Sequence, residues 1–381
     1  MGPHPFLLLF SLSCLLTSTI VRSRSLQWTV FLLILTTNTY LAFSTTGDVV
    51  SDYFIGSVLV SGVLTVADYA LVTDIHRDFR LVGQKGAIPD TAPLSERFKW
   101  GFRLFMAPRG IGWAHEPQGI FRSRAALDTP KSSFLLRQVA MMGYYVLLSD
   151  IASIYNRTSP VLRAGGPPIN SRPLPWRCID IYSFAVTQFA QQSLLQCFIS
   201  IVSVSANYSS PHDWVGPFGY WGDAYTLRRF WGRTWHQFLR RPFSTQGKFI
   251  AKTLGLRKGT NASAYVQLYT AFFLSAILHT ISDYMMHRRL TKSGSPLFFA
   301  LQPVAITLED FVLFFAWKTR MDVRPTMWWK LLGYIWVSAW FLCVYSPWLS
   351  PMVEGGLMDK ALNLRVSIIL GVWKGQWNQS T

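Results

Sequence analysis

Residues 264–286 read AYVQLYTAFFLSAILHTISDYMM, a run with one acid, one histidine and neither lysine nor arginine. A spanning helix needs about 20 mainly apolar residues, so the run predicts a membrane helix. Within it, His279 has Ser275, Ser282 and Asp283 at i−4, i+3 and i+4, which puts all four on one helix face. An ionisable side chain at that depth is costly and reads first as functional. Imidazole titrates near neutrality and can take a proton from an alcohol, and a carboxylate one turn away could fix its tautomer. The competing reading is a packed histidine hydrogen-bonded between helices.

Outward from this helix, comparable runs lie near 6–21, 26–43, 53–72, 134–155, 178–206, 296–317 and 327–348, with a weaker one over 361–374. The expected fold is therefore all-α, a polytopic membrane protein with about eight or nine transmembrane helices in one integral membrane domain over 1–381. Composition agrees: 50% of residues are hydrophobic and 14% charged, against roughly 25% charged in a soluble domain. The 27 Phe, 16 Trp and 15 Tyr suit the belts where aromatic rings sit between lipid and water. The first run has no basic residue before it and Arg22 and Arg24 after it. That reverses a secretory leader and reads as a short first membrane segment. Cys14, Cys178, Cys197 and Cys343 are scattered and form no CxxC pair, so neither a zinc site nor a disulfide framework is expected. No internal repeat suggests an inverted-repeat transporter.

The net charge of +17 is concentrated in the connections, as the positive-inside bias requires, and not on a face suited to nucleic acid. Two long connections, 74–133 with ten Lys/Arg and 207–263 with nine, are placed in the cytosol by that charge. Two spans separate them, so the linker 156–177 faces the lumen, where the sequon Asn156-Arg-Thr could carry glycan. Further sequons start at Asn207, Asn261 and Asn378. Within the second connection, 227–241 reads LRRFWGRTWHQFLRR, with apolar and basic residues at helical spacing. It predicts an amphipathic helix lying in the membrane surface, stopped by Pro242. It carries His236, between Trp235 and Gln237 and near Arg233 and Arg240. His76, His115, His212 and His287, in or beside polar connections, read as solvated. A third polar group, Gln302, Glu309 and Asp310, lies in the run 296–317 and must pair with cations or line a cavity. No HxxxH or HExxH spacing supports a metal, and DDxxD, P-loop, GxGxxG and GxSxG patterns are missing from the sequence.

The string AYTLRRFWGRTWHQFLRRPF at 224–243, followed by FFLSAILHTISDY at 272–284 and LQPVAITLED at 301–310, resembles the wax synthase-like branch of the membrane-bound O-acyltransferase superfamily. It is similar to fungal terpenoid and meroterpenoid O-acetyltransferases. The resemblance covers 220–315 closely and implies a catalytic core over 207–315. It implies that the family's intramembrane histidine is His279 and that the polar end of the tryptophan-rich motif is His236, where many members have Asn. Asp283, Gln237, Trp235 and Glu309 are then supporting residues. Arg228, Arg229, Arg233, Arg240 and Arg241, or else the basic stretch 248–258, are candidates for the phosphates of acyl-CoA, since guanidinium suits phosphate. The implied reaction has His279 deprotonate a hydroxyl as it attacks the thioester, with His236 or Gln237 as candidate oxyanion donors. The expected partners are acetyl-CoA (or another acyl-CoA), a hydrophobic alcohol and the bilayer, at the endoplasmic reticulum. Neither metal nor nucleic acid is expected. A long-chain wax ester synthase is the alternative within the class. A transporter would spread its polar residues over more segments, and a membrane terpene cyclase would not need the tryptophan-rich stretch.

Overall fold

The computed structural model describes residues 5–86, 88, 91–117, 125–319, 326–362 and 367–377. Its principal helices are α1 (Pro5–Ser18), α2 (Arg24–Ala42), α3 (Val49–Ala67), α4 (Leu94–Phe105), α5 (Lys131–Thr158), α6 (Leu174–Ser205), α7 (Arg240–Thr253), α8 (Asn261–His287), α9 (Ser295–Lys318), α10 (Met327–Val344), α11 (Ser346–Glu354) and α12 (Ile368–Lys374). Among the described residues the one extended pairing is an isolated bridge between Leu81 and Trp113. By length and composition, four stretches among them can cross a membrane: Val49–Val72, Asn261–His287, Ser295–Lys318 and Met327–Val344. The weak run 361–374 is not one helix. A π-helical turn, Met358–Leu362, ends before α12, and Ser367, with φ −109°, is an extended N-cap that restarts the helix.

The chain forms two compact units, Met1–Gln118 with Phe238–Val304, and Gly119–Gln237 with Ala305–Thr381. In the first, α1, α2 and α3 pack together, and α8 packs on both α3 and α7. Gly56 allows the closest approach: a Cβ there would lie 2.7 Å from Ser282 Cα. The neighbouring Ser57 and Ser282 hydroxyls meet at 2.8 Å. Small residues with a hydroxyl link are the usual means of joining helices where lipid removes the hydrophobic drive. The connection after α3 is not a loose loop. Tyr69, Ile75, Phe79, Ile88, Trp100, Leu104 and Trp113 form a core of their own. Arg97 and Arg22 bind this layer to the end of α1, donating to the Ile20 and Ile88 carbonyls at 2.6 and 3.0 Å.

That core corrects the reading of two histidines. His76 is buried, bonded through Nε2 to the Val21 carbonyl at 3.0 Å and tilted against Trp100. His115 stacks on Phe79 at 4.0 Å. Burial, helped by the Arg241 charge, pushes its imidazole down to about 4.

In the second unit α5 and α6 pack along their length. Asp180 accepts from Tyr155 at 2.8 Å and Ser159 at 2.7 Å, and pairs with Arg172 at 3.2 Å. The glycan expectation fails here. Asn156 lies inside α5, fully buried, with its amide donating to Thr187 at 3.1 Å and its oxygen accepting from Ser183 at 2.7 Å. Its nitrogen is inside the helix pair and out of reach of a transferase. Asn207 and Asn261 are exposed; Asn378 lies outside the described residues.

Candidate active site

His279 stands two-thirds of the way along α8, half-buried in the first unit. Its ring lies flat against Phe299, with centroids 4.6 Å apart and planes at 11°. Its Nδ1 is 3.4 Å from the hydroxyl of Tyr53 on α3. One ring face and one nitrogen are thereby fixed, and Nε2 lies on the opposite edge of the imidazole. Asp283, expected to orient the ring, is turned elsewhere: its Oδ2 accepts from the Ser293 and Ser295 hydroxyls, each at 2.6 Å. It holds the turn that joins α8 to α9. Gln302, also on the first unit, donates to the Phe298 carbonyl of its own helix at 2.9 Å.

The segment 227–241 is not the expected amphipathic helix. One turn of α-helix, Leu227–Arg229, widens into a π-helical turn, Phe230–Thr234, and Trp235 is extended at ψ 158°. Pro242 does not stop a helix but lies in the first turn of α7. Proline is tolerated there, because a first-turn N–H has no intrahelical acceptor to lose. The short turn is held from outside. Thr226 caps it by accepting from Arg229 N at 3.1 Å. Glu309 accepts from the Leu227 and Arg228 amides at 2.8 and 3.2 Å and from Trp336 Nε1 at 3.0 Å. A carboxylate at a helix N-terminus meets both the free amides and the dipole. The segment before the motif pairs with it, Gly219 N donating to Thr234 O at 2.9 Å and Gln237 N to Pro217 O at 3.3 Å. A Cβ on Gly219 would fall 1.9 Å from the Arg233 carbonyl, so glycine is required.

His236 emerges from this bracket among aromatic rings, 5.6 Å from Trp235 and 6.2 Å from Phe218. Phe218 also touches Phe189 at 4.8 Å, while Phe230 stacks on Trp235 at 5.5 Å. Burial pushes the His236 imidazole down to about 4, so it is neutral at physiological pH. Gln237 is buried, and its Nε2 donates to the Trp231 carbonyl at 3.2 Å and to that of Trp235. That amide supports the loop and is not turned outward as an oxyanion donor.

Comparison with known proteins bears on both histidines. The sequence model of the membrane bound O-acyl transferase family matches residues 214–301, which include His236 and His279. Acetyltransferase ple2 of Rhodocybe pseudopiperita is 42% identical over 98% of this chain and 97% of its own length. This chain belongs to the membrane-bound O-acyltransferase family. Acetyltransferase eriL of Hericium erinaceus is 34% identical over 96% of this chain and 94% of its own. Acetyltransferase spyB of Aspergillus fumigatus is 30% identical over 78% of this chain and 55% of its own. The protein is an acyl-transferring enzyme of the membrane, and its family implies an acyl-CoA donor.

Three of the acyltransferase's five candidate phosphate-binding arginines hold carboxylates within their own unit. Arg228 makes a two-point pair with Asp310, one contact at 3.0 Å. Arg229 lies 3.8 Å from Asp223 and over the Tyr225 ring. Arg241 pairs with Asp68 at 2.9 Å and covers the Phe79 ring at 4.3 Å. Arg233 is exposed and Arg240 half-buried. Sequence reasoning missed Tyr53 and Asp68. Tyr53 is 226 positions from His279 and reads as an ordinary aromatic in an apolar run. Asp68, at the end of a membrane run, had a signal: an acid at that depth asks for a cation.

Proposed function

We propose that the acyltransferase moves acetyl from acetyl-CoA to a hydroxyl of a hydrophobic secondary metabolite, a terpenoid or meroterpenoid, at the endoplasmic reticulum membrane. The observation that carries the reading is His279: an imidazole in an apolar helix, with one face on Phe299 and Nδ1 on Tyr53. The names of the full-length relatives, both acetyltransferases, favour the two-carbon donor. In this reading α1, α2, α5 and α6 span the membrane besides the four stretches named above, and 207–315 is the catalytic core.

In the mechanism, Nδ1–H of His279 donates to the Tyr53 oxygen, which puts the basic lone pair of the ring on Nε2. Nε2 takes the hydroxyl proton as the oxygen attacks the thioester carbonyl. The tetrahedral intermediate collapses to the ester, and the departing thiolate recovers the proton from Nε2. Atoms and charge balance without a covalent acyl-enzyme. His236 is the second catalytic residue; being neutral, it supplies one N–H donor and carries no charge to disturb its aromatic surroundings. Trp235 and Gln237 shape its loop, Glu309 anchors the turn before it, and Arg233, exposed beside the motif, takes the role toward the phosphates of CoA.

The test is acyl transfer in microsomes from cells expressing the protein, with radiolabelled acetyl-CoA and palmitoyl-CoA offered beside terpenoid and fatty alcohols. Acetyl esters of terpenoid alcohols are expected. Palmitoyl esters of fatty alcohols in their place would overturn the acetyl reading and leave the family intact.

A further inference from the structure

The segment 227–241 is not a membrane-surface helix, but α7, which begins at its end, has the features of one. Helix α7 packs on α3 and α8, all within the first unit. A Cβ on Gly247 would lie 3.0 Å from the Cα of Gln267, two turns into α8. Gln246 donates to the Leu64 carbonyl, near the end of α3, at 3.5 Å. Helix α8 has 27 residues. That is ~40 Å of helix against a hydrocarbon core of about 30 Å, so its ends stand among headgroups. Its contact with Gln267 puts α7 at the level where lipid meets water.

What α7 leaves uncovered fits that level. Gly247 and Ala251 are buried, one turn apart. Lys248 and Lys252 form a second row at i and i+4, and Ile250 and Leu254 a third. At about 100° per residue the lysine row and the Ile250–Leu254 row stand on opposite sides of the helix. Phe249 lies between them, and all five side chains are exposed, Leu254 by 61%. A helix lying flat in the interface turns one such row to water and the other to acyl chains. Gly255, at φ 70°, then reverses the chain, its N–H and that of Leu256 donating to the Lys252 and Ala251 carbonyls at 2.9 and 3.0 Å. That turn brings Arg257 and Lys258, both exposed, to the start of α8.

Charge names the partner. No acidic residue stands between Asp223 and Asp283, and Asp68, at the end of α3, is taken by Arg241 at 2.9 Å. Among the described residues none of Lys248, Lys252, Arg257 and Lys258 has a carboxylate partner. Partial desolvation, and after it the charges of Arg241, Lys258 and Arg240, push the Lys248 ammonium below its ordinary value. Four cations on an interfacial helix at the cytosolic end of a span attract anionic lipid. The phosphates of CoA would meet the same cations, but would leave Phe249, Ile250 and Leu254 in water, whereas a bilayer takes them in.

We propose that the outer edge of α7 and the turn 255–258 bind anionic phospholipid headgroups of the cytosolic leaflet, with Ile250 and Leu254 set among the acyl chains. Lys248 and Lys252 meet the headgroups from the helix, Arg257 and Lys258 from the turn. This needs the membrane setting of the family and neither the acetyl donor nor the alcohol.

The full-length protein, purified in detergent, is titrated separately with dioleoylphosphatidylserine, dioleoylphosphatidylcholine and CoA, and bound molecules are counted by native mass spectrometry. Wild type should hold phosphatidylserine at least tenfold more tightly than phosphatidylcholine. One cation at a membrane surface is worth about fivefold in affinity, so Lys248→Gln with Lys252→Gln should weaken phosphatidylserine roughly twentyfold. Lys248→Arg with Lys252→Arg, which keeps the charge, should keep the preference. Arg77→Gln with Lys85→Gln removes the same charge from exposed positions elsewhere in the unit and should change affinity less than twofold. CoA binding should be equal in all four proteins. Equal affinity of wild type for the two lipids would overturn the proposal. So would a preference that survives Lys248→Gln with Lys252→Gln, or an equal loss in the Arg77 and Lys85 control. Loss of CoA in place of the lipid would make 248–258 a donor-phosphate site and overturn it too.

Discussion

His279 and Asp283 show how far single residues can be read and where that ends. The depth of an imidazole in an apolar run is visible in sequence, so His279 stood out. Its partners were not visible, because a helix reveals its own i+4 neighbours and hides those on other helices. Asp283 was the neighbour in sequence, but its carboxylate serves Ser293 and Ser295, and Tyr53 meets the ring instead. Tyr53→Phe keeps the ring and removes the acceptor for Nδ1–H. A hydrogen bond to a charge that develops in the transition state is worth roughly 1.5–3 kcal/mol. kcat should therefore fall at least about tenfold, with both KM values within twofold; an unchanged kcat would remove Tyr53 from the mechanism. His115 and His236 make a second residue-scale prediction. Folded, both stay neutral until about pH 4; unfolded, they take up protons near the ordinary value of about 6.5. Between those values the unfolded state binds more protons, so stability rises with pH and is lost as pH falls from 6.5 toward 4. Thermal midpoints in detergent should drop across that window, and His115→Phe should make the drop shallower. A drop of equal steepness in the variant would contradict the assignment for His115.

At the scale of elements, apolar runs were legible because a membrane helix is set by length and hydropathy alone. The segment 227–241 was not, although its periodicity was regular. Its shape is decided by Glu309, 82 positions from Leu227, and by backbone pairing with Pro217 and Gly219, none of which periodicity reports. Pro242 misled for a related reason: proline ends a helix from within but is accommodated in the first turn of one. Glu309→Ala would leave two turn amides and the Trp336 indole without their acceptor. Buried donors left so cost about 1–3 kcal/mol each. The thermal midpoint should fall, and the turn bearing His236 should loosen, seen as faster proteolysis within 214–240. A variant as stable and as protected as wild type would show that Glu309 does not hold this turn.

For the whole molecule, class and membrane character followed from composition and one motif, whereas the pairing of distant segments did not. Residues 238–304 join the N-terminal third in one unit, and 119–237 join the C-terminal segment in the other. Only folding shows this, because the contacts between those segments leave no local pattern. The burial of Asn156, made by α6 on α5 within 119–237, likewise leaves no local pattern. Asn156→Gln should therefore leave electrophoretic mobility unchanged, with and without endoglycosidase; a shift would mean that α5 begins or ends elsewhere. The central claim, that this membrane acyltransferase works through His279, is tested most directly by acetyl transfer from radiolabelled acetyl-CoA in microsomes holding equal amounts of wild type and His279→Ala. Ester formation by wild type and its loss in the variant is the predicted result, and full activity in His279→Ala would contradict it.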